Sequence, residues 1–276
     1  MISNNHAQRI AESSEAVARK LGENVPSILV VAGSGLGAFS STLDDAHRVS
    51  YADLLHFPIS TVVGHAGELV LGSCEGHRVL VMSGRKHLYE GVDPMVATLP
   101  LAALLRAGVR TVILSNAAGA LNVKFDVGDL MLISDHINNM FRNPLIGPNL
   151  EPGARFPDMS NAYDRGLREI ARDVASELGV KLREGVYVGN MGPTYETQAE
   201  VQMLRQFGDA VGMSTVPETT VAVQAGARVM GISLISNSLV RSTDVVTTHE
   251  EVMEAGRDAA QTFNRLVGGV ISRLVE

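Results

Sequence analysis

The chain has 276 residues, 45% hydrophobic and 19% charged, which excludes both an intrinsically disordered chain and a disulfide-stapled mini-protein. Its 23 Lys and Arg against 30 Asp and Glu leave a net charge of −7, and aromatics are only 4% with no Trp, so a basic nucleic-acid face and rows of base-stacking platforms are not expected. The lone Cys74 excludes an internal disulfide and a Cys-rich zinc site. The longest apolar runs are of strand length, far below the ~20 residues that span a bilayer. The first 26 residues lack the apolar core of a secretory leader. The expectation is a cytoplasmic protein that engages neither nucleic acid nor membrane.

In chain order, residues 5–21 carry Ile10, Val17 and Leu21 among charges and predict an amphipathic helix stopped by Gly22. Residues 27–32 form an apolar strand entering Gly33-Ser-Gly-Leu-Gly37. Residues 68–74 and 77–83 flank Glu75-Gly76 and predict a hairpin. A helix is expected over 96–107, and strands over 110–116 and 129–134. A helix over 161–178 stops at Gly179, and a strand over 184–190 runs into Gly192-Pro193. Then follow a helix over 197–207, a short strand over 210–213, a helix over 217–225, a strand over 228–237, and a long helix over 249–274 interrupted by glycines. Continuous apolar strands alternating with helices predict one α/β domain, residues 1–276, whose sheet is covered on both faces. The longest weakly structured stretch, about 138–160, is rich in Pro, Gly and Asn, and loops of that length usually serve function.

Polar and glycine-rich segments gather where strands end. Gly33-Ser-Gly-Leu-Gly37 can turn backbone N–H groups toward an anion, or it can be no more than a tight turn. Its third glycine comes one residue too early for a dinucleotide fingerprint, and it lacks the Lys-Ser/Thr ending of a P-loop. In Gly84-Arg-Lys-His-Leu-Tyr-Glu-Gly91, Arg85 and His87 alternate on an extended backbone and can face one pocket, where a guanidinium fork suits phosphate oxygens. Asn116-Ala-Ala-Gly119 offers backbone N–H groups or simply packs a turn. Ser214 precedes a helix and can be a helix cap, a ligand donor or both; taken alone, the cap is the simpler reading. Glu196 reads in isolation as a solvated loop residue. Asn237 ends an apolar strand and needs hydrogen-bond partners. The eight histidines include no HExxH motif and no close pair, so no metal site is expected.

The succession GSGLG, GHAGELVLG, GRKHLYEG, SNAAGALN, DHIN, RFPDMSNAYD, GPTYET, VGMSTVPE, SLISN and THEEV resembles the purine nucleoside phosphorylase family of the trimeric type, from about Val30 to the C-terminus. The resemblance implies a mixed β-sheet flanked by helices, a homotrimer, inorganic phosphate as co-substrate, and no metal or organic cofactor. It implies that phosphate is held by Ser34, Arg85, His87, Ser214 and the backbone N–H of Ala117, with His65 nearby. Ribose would lie against Tyr89 and Met213, with His249 at its 5′-hydroxyl. The base would be bound by Glu196 and Asn237, with Tyr195 against one face, and Phe156 would reach into a neighbouring subunit. The catalytic groups implied are His87, Glu196 and Asn237. The segment 238–244 varies within the family, and its contacts do not carry over.

The implied reaction is reversible phosphorolysis of purine nucleosides, with inosine and guanosine preferred. A carboxylate only accepts hydrogen bonds, so Glu196 can take N1–H of a 6-oxopurine but meets a bare lone pair on adenine. Three alternatives compete. A nucleotide-binding module built on GSGLG would use Asp53 to read a ribose. A methylthioadenosine phosphorylase would carry a different base-reading pair. A nucleoside hydrolase would need a water activator.

Overall fold

The computed structural model describes residues 2–22, 24–62, 66–149, 153–240 and 248–275. Helix α1 (Ile2–Leu21) leads into β1 (Ile28–Ala32), β2 (Asp44–Ser50), β3 (Glu68–Cys74) and β4 (His77–Ser83). There follow α2 (Pro94–Ala107), β5 (Thr111–Ala120), β6 (Leu130–Asn138), α3 (Arg165–Leu178), β7 (Leu182–Gly189), α4 (Gln198–Leu204), β8 (Ala210–Gly212), α5 (Val216–Gln224), β9 (Arg228–Ser238) and α6 (His249–Ile271). Among the described residues the nine strands form one mixed sheet in the order β2-β3-β4-β1-β5-β8-β7-β6-β9. β5 also pairs with β9, so β5, β8, β7, β6 and β9 close on themselves at one end of the sheet.

Each face of this sheet carries its own core, because side chains alternate along a strand. From β1, Leu29 and Val31 pack with α1, α2 and α5, whereas Ile28, Val30 and Ala32 pack with α3 and α6. This is why the central strands read as unbroken apolar runs. The exception is β2, an edge strand of sequence DDAHRVS in which only Val49 is buried. It has no apolar pattern to betray it and was not expected from the sequence.

Several boundaries differ from expectation for local reasons. Asp164 caps α3 through Leu167 N at 2.8 Å, so that helix starts at Arg165 rather than near 161. Thr197 and Glu200 form a capping box, and α4 ends at Leu204. Helix α6 runs unbroken through Gly256, Gly268 and Gly269; these glycines do not interrupt it. Strand β5 continues to Ala120, so Asn116-Ala-Ala-Gly119 lies inside a strand rather than after one. Its added length pairs antiparallel with β8, Gly119 opposite Val211 and Ala120 opposite Ala210. β8 therefore runs back beside β5 and delivers residues 213 and 214 toward the strand ends where β1 and β4 finish.

Candidate active site

A cleft of about 700 Å³, its open mouth included, lies at these strand ends. It brings together Ser34, Arg85, His87, Tyr89, Ala117, Tyr195, Glu196, Met213, Ser214, Asn237 and His249. His65 falls outside the described residues, as do positions 241–247 of the variable segment. Phe156 is absent from this cleft wall and is 88% exposed, with Arg155 5.7 Å above its ring.

The turn after β1 is held by close backbone approach. Gly33 N donates to Ser115 Oγ at 3.0 Å, and a Cβ on Gly33 would stand 2.5 Å from the Ser115 carbonyl oxygen. Gly35 adopts φ +76 with its Cα against Gly256 of α6. The turn that carries Ser34 is thus wedged between β5 and α6. No side chain larger than hydrogen fits at either contact.

Arg85 is 3% exposed. Its Nη2 donates to the Ser115 carbonyl at 2.6 Å and lies 3.2 Å from Ser214 Oγ, while Nη1 lies 3.3 Å from Glu218 Oε1. Ser214 therefore serves the guanidinium: Thr215 occupies the N-cap of α5 and makes no side-chain cap bond, so the cap reading of Ser214 is corrected. Thr215 itself is fully buried at φ 70, a strained conformation for a β-branched residue, and its Oγ1 accepts from Asn116 Nδ2 at 2.8 Å. Asn116, Asn190 and Glu218 were not singled out from the sequence. Asn190 follows β7 and Glu218 lies in the first turn of α5, which was the available signal, whereas Asn116 lies inside β5 and gave none.

His87 is buried and stacks on Tyr89, ring centroids 4.8 Å apart. Burial depresses its pKa, although Glu90 acts the other way. Burial raises Tyr89 to about 12. The Glu90 carboxyl is pushed up by burial. Its bonds from His87, Lys86 and the backbone N–H of Thr61 outweigh that and hold it well below the usual carboxylate range. Glu90 thereby ties the Arg85–Tyr89 segment to residues 60 and 61.

At the other side chains of the cleft, burial raises the pKa of Glu196, and a hydrogen bond from Asn190 opposes that shift. Asn237 Oδ1 accepts from Ser236 Oγ at 2.9 Å, which assigns Nδ2 as the donor end of the amide. One cleft thus joins a buried guanidinium, a buried imidazole and a hydroxyl to a carboxyl group and an amide.

A profile described as the phosphorylase superfamily matches residues 27–272. Purine nucleoside phosphorylase 1 of Geobacillus stearothermophilus is 50% identical over 253 residues, 91% of this chain and 92% of that one. The chain belongs to the purine nucleoside phosphorylase family. A crystal structure of Schistosoma mansoni purine nucleoside phosphorylase in complex with adenosine superimposes with a TM-score of 0.92 at 38% identity, covering 98% of each chain. One in complex with inosine also gives 0.92, at 37% identity, covering 98% of this chain and 97% of that one. The nucleotide-binding module built on GSGLG is set aside by this membership. Among purine nucleoside phosphorylases, as in this chain, the reaction class is that of a pentosyltransferase. Among the described residues no helix is long and apolar enough to cross a membrane.

Proposed function

We propose that the chain catalyses reversible phosphorolysis of inosine, guanosine and their 2′-deoxy forms to purine base and α-(deoxy)ribose 1-phosphate, in purine salvage. The observation that carries this reading is the single cleft that joins the Arg85–His87–Ser214 cluster to Glu196 and Asn237. In this reading the C1′–N9 bond breaks with its electron pair leaving on the purine, and the sugar gathers oxocarbenium character. A phosphate oxygen then forms the new C1′–O bond from the opposite face. Asn237 Nδ2 donates to N7 and stabilises the departing base, which takes up a proton on release. Glu196 accepts N1–H.

No covalent nucleophile from the protein is called for. The work is positioning and electrostatics, supplied by groups already held in place before substrate arrives. A chain of net charge −7 can attract phosphate only through such a local cluster. The reaction uses inorganic phosphate as co-substrate and calls for no metal or organic cofactor. Tyr89, Met213 and His249 suit the ribose, and Tyr195 a face of the base. A homotrimer is part of the proposal: the exposure of Phe156, together with that of Phe141 and Ile146, suits a second copy of the chain. The cytoplasm is the proposed location.

The test is release of base from inosine, guanosine and adenosine, with and without phosphate. Strictly phosphate-dependent cleavage of the first two is expected, with adenosine disfavoured in kcat/KM by roughly 10⁴-fold, as for a site built to bind a donor that the analogue lacks. Since a Schistosoma mansoni relative has been crystallised with adenosine, turnover rather than occupancy is the measure. Equal kcat/KM for inosine and adenosine would overturn the Glu196 assignment. A fully active monomer in sedimentation, or a Phe156→Ala variant with unchanged nucleoside KM, would overturn the trimer proposal.

A further inference from the structure

Glu196 has a support behind it. Its Oε1 accepts from Asn190 Nδ2 at 2.7 Å, and Asn190 Oδ1 accepts from Asn139 Nδ2 at 2.7 Å. Asn139 follows β6, Asn190 follows β7 and Glu196 precedes α4, so the chain of bonds crosses three separate segments. Backbone bonds hold both amides: Asn139 N donates to the Gly189 carbonyl at 2.9 Å, and Asn190 N to the Gly212 carbonyl at 2.8 Å. A side-chain amide has one acceptor end and one donor end. Because Asn139 donates to the acceptor end of Asn190, the donor end is the one that meets Glu196.

We propose that Asn190, oriented by Asn139, is a positioning residue that keeps Glu196 an ionised acceptor with one oxygen already committed, and so sets the preference for bases that carry a hydrogen at N1. The inference rests on the reading that Glu196 faces the base. Burial and the negative charge of Glu200 on α4 both favour a protonated Glu196, and the Asn190 bond acts against them. A protonated Glu196 would be a donor, complementary to the bare N1 of adenine and not to N1–H of hypoxanthine. The other titratable or charged groups around it are Tyr195 beside it, Glu251 and His249 from α6, and Arg85, His87 and Tyr89 from the segment after β4. None of these is altered by Asn190→Ala, so a difference between that variant's pH profile and the parent's reports Glu196.

The test is a set of pH–rate profiles for inosine and adenosine at saturating phosphate. Asn190→Ala is expected to lower kcat/KM for inosine about 10- to 100-fold, as for loss of a hydrogen bond to a charged group. Most of the loss should fall in KM, because the N1–H bond is made in ground and transition states alike. The acid limb should move up by about one pH unit, the inosine-to-adenosine ratio should narrow about tenfold, and the phosphate KM should not change. Asn139→Asp is the second variant; it adds a carboxylate of its own, so its decisive readout is the inosine-to-adenosine ratio. It is isosteric and does not touch Glu196, yet an acceptor at 139 draws the donor end of Asn190 toward itself and turns Oδ1 to the carboxylate. The same upward shift and the same narrowed ratio are expected. An unmoved acid limb with an unchanged ratio in both variants would overturn the relay, and so would an equal loss for both nucleosides. Glu196→Gln separates the two levels. If it alters the base ratio while the variants at 139 and 190 do not, only the relay fails. If it leaves the ratio as in the parent, the reading of Glu196 falls, and the relay with it.

Discussion

Gly256→Ala tests whether the wedge between α6 and the Ser34 turn positions the site. Gly256 lies seven residues after His249 on the same face of α6. A methyl group on it would stand 2.4 Å from Gly35 Cα and 2.9 Å from the Gly35 carbonyl carbon. Carbon atoms in contact rest about 3.5–4.0 Å apart, so helix or turn must move by at least about 1 Å. The turn cannot retreat, because Gly33 already meets the backbone of Ser115 on its other side. Replacing Gly by Ala inside a helix contributes about 1 kcal/mol, and overpacking costs about 1–3 kcal/mol. The net loss of stability is therefore at most about 2 kcal/mol, a fall in Tm of about 5 °C or less in a chain of this size. Activity is far more sensitive: a misplacement of about 1 Å can cost about 100-fold. Calorimetry and kcat/KM for phosphate-dependent inosine cleavage should show a folded protein about 100-fold impaired. Gly268→Ala is the control, since its nearest new contact is 3.8 Å, and it should keep full activity. A Gly256→Ala enzyme within a few-fold of the parent would refute the argument.

Arg85→Ala should raise the phosphate KM with little effect on nucleoside KM, and should cost about 3 kcal/mol of stability because it strands the buried carboxylate of Glu218; collapse of nucleoside binding with unchanged phosphate dependence would contradict this. Asn237→Asp supplies a donor to N7 only when the acid is protonated, so inosine cleavage should fall by on the order of 3 kcal/mol in the barrier, with relative tolerance shifted toward 6-aminopurines; kcat/KM for inosine and adenosine in both proteins decides. His6, His87 and His136 each have a pKa depressed below 6.5 by burial. The unfolded chain therefore binds protons that the native chain does not, and stability should be fully present above about pH 6.5 and decline as pH falls below it. Denaturation midpoints between pH 5.5 and 7.5 that stay flat or rise toward acid would count against this assignment.

Much of the scaffold was legible in the sequence because apolar period and turn chemistry are local. The runs around Val30, Leu80, Ile113 and Ile232 announced strands buried on both faces, and Glu75-Gly76 announced the hairpin. The strand-end motifs and the resemblance they carry mark Arg85, His87, Ser214, Glu196 and Asn237 from the order of amino acids alone. β2 was invisible, since a strand exposed along nearly its whole length carries no burial pattern. The reach of β5 past Asn116 was invisible too, because small residues there look the same in a turn and in a strand.

Only the tertiary structure decided what each polar side chain is bonded to. Whether Ser214 caps a helix or meets Arg85 depends on β8 running back along β5, a pairing between segments about ninety residues apart in the chain. That α6 passes its glycines without a break, and that Gly256 exists to admit Gly35, follows from a contact no local pattern encodes. The line from Asn139 through Asn190 to Glu196 likewise exists only because β6 and β7 lie side by side. Propensity and periodicity act over a few residues and so can be read from the order of amino acids. Hydrogen-bond partners and close approaches between distant segments are set by how the sheet closes, and that is a property of the folded chain.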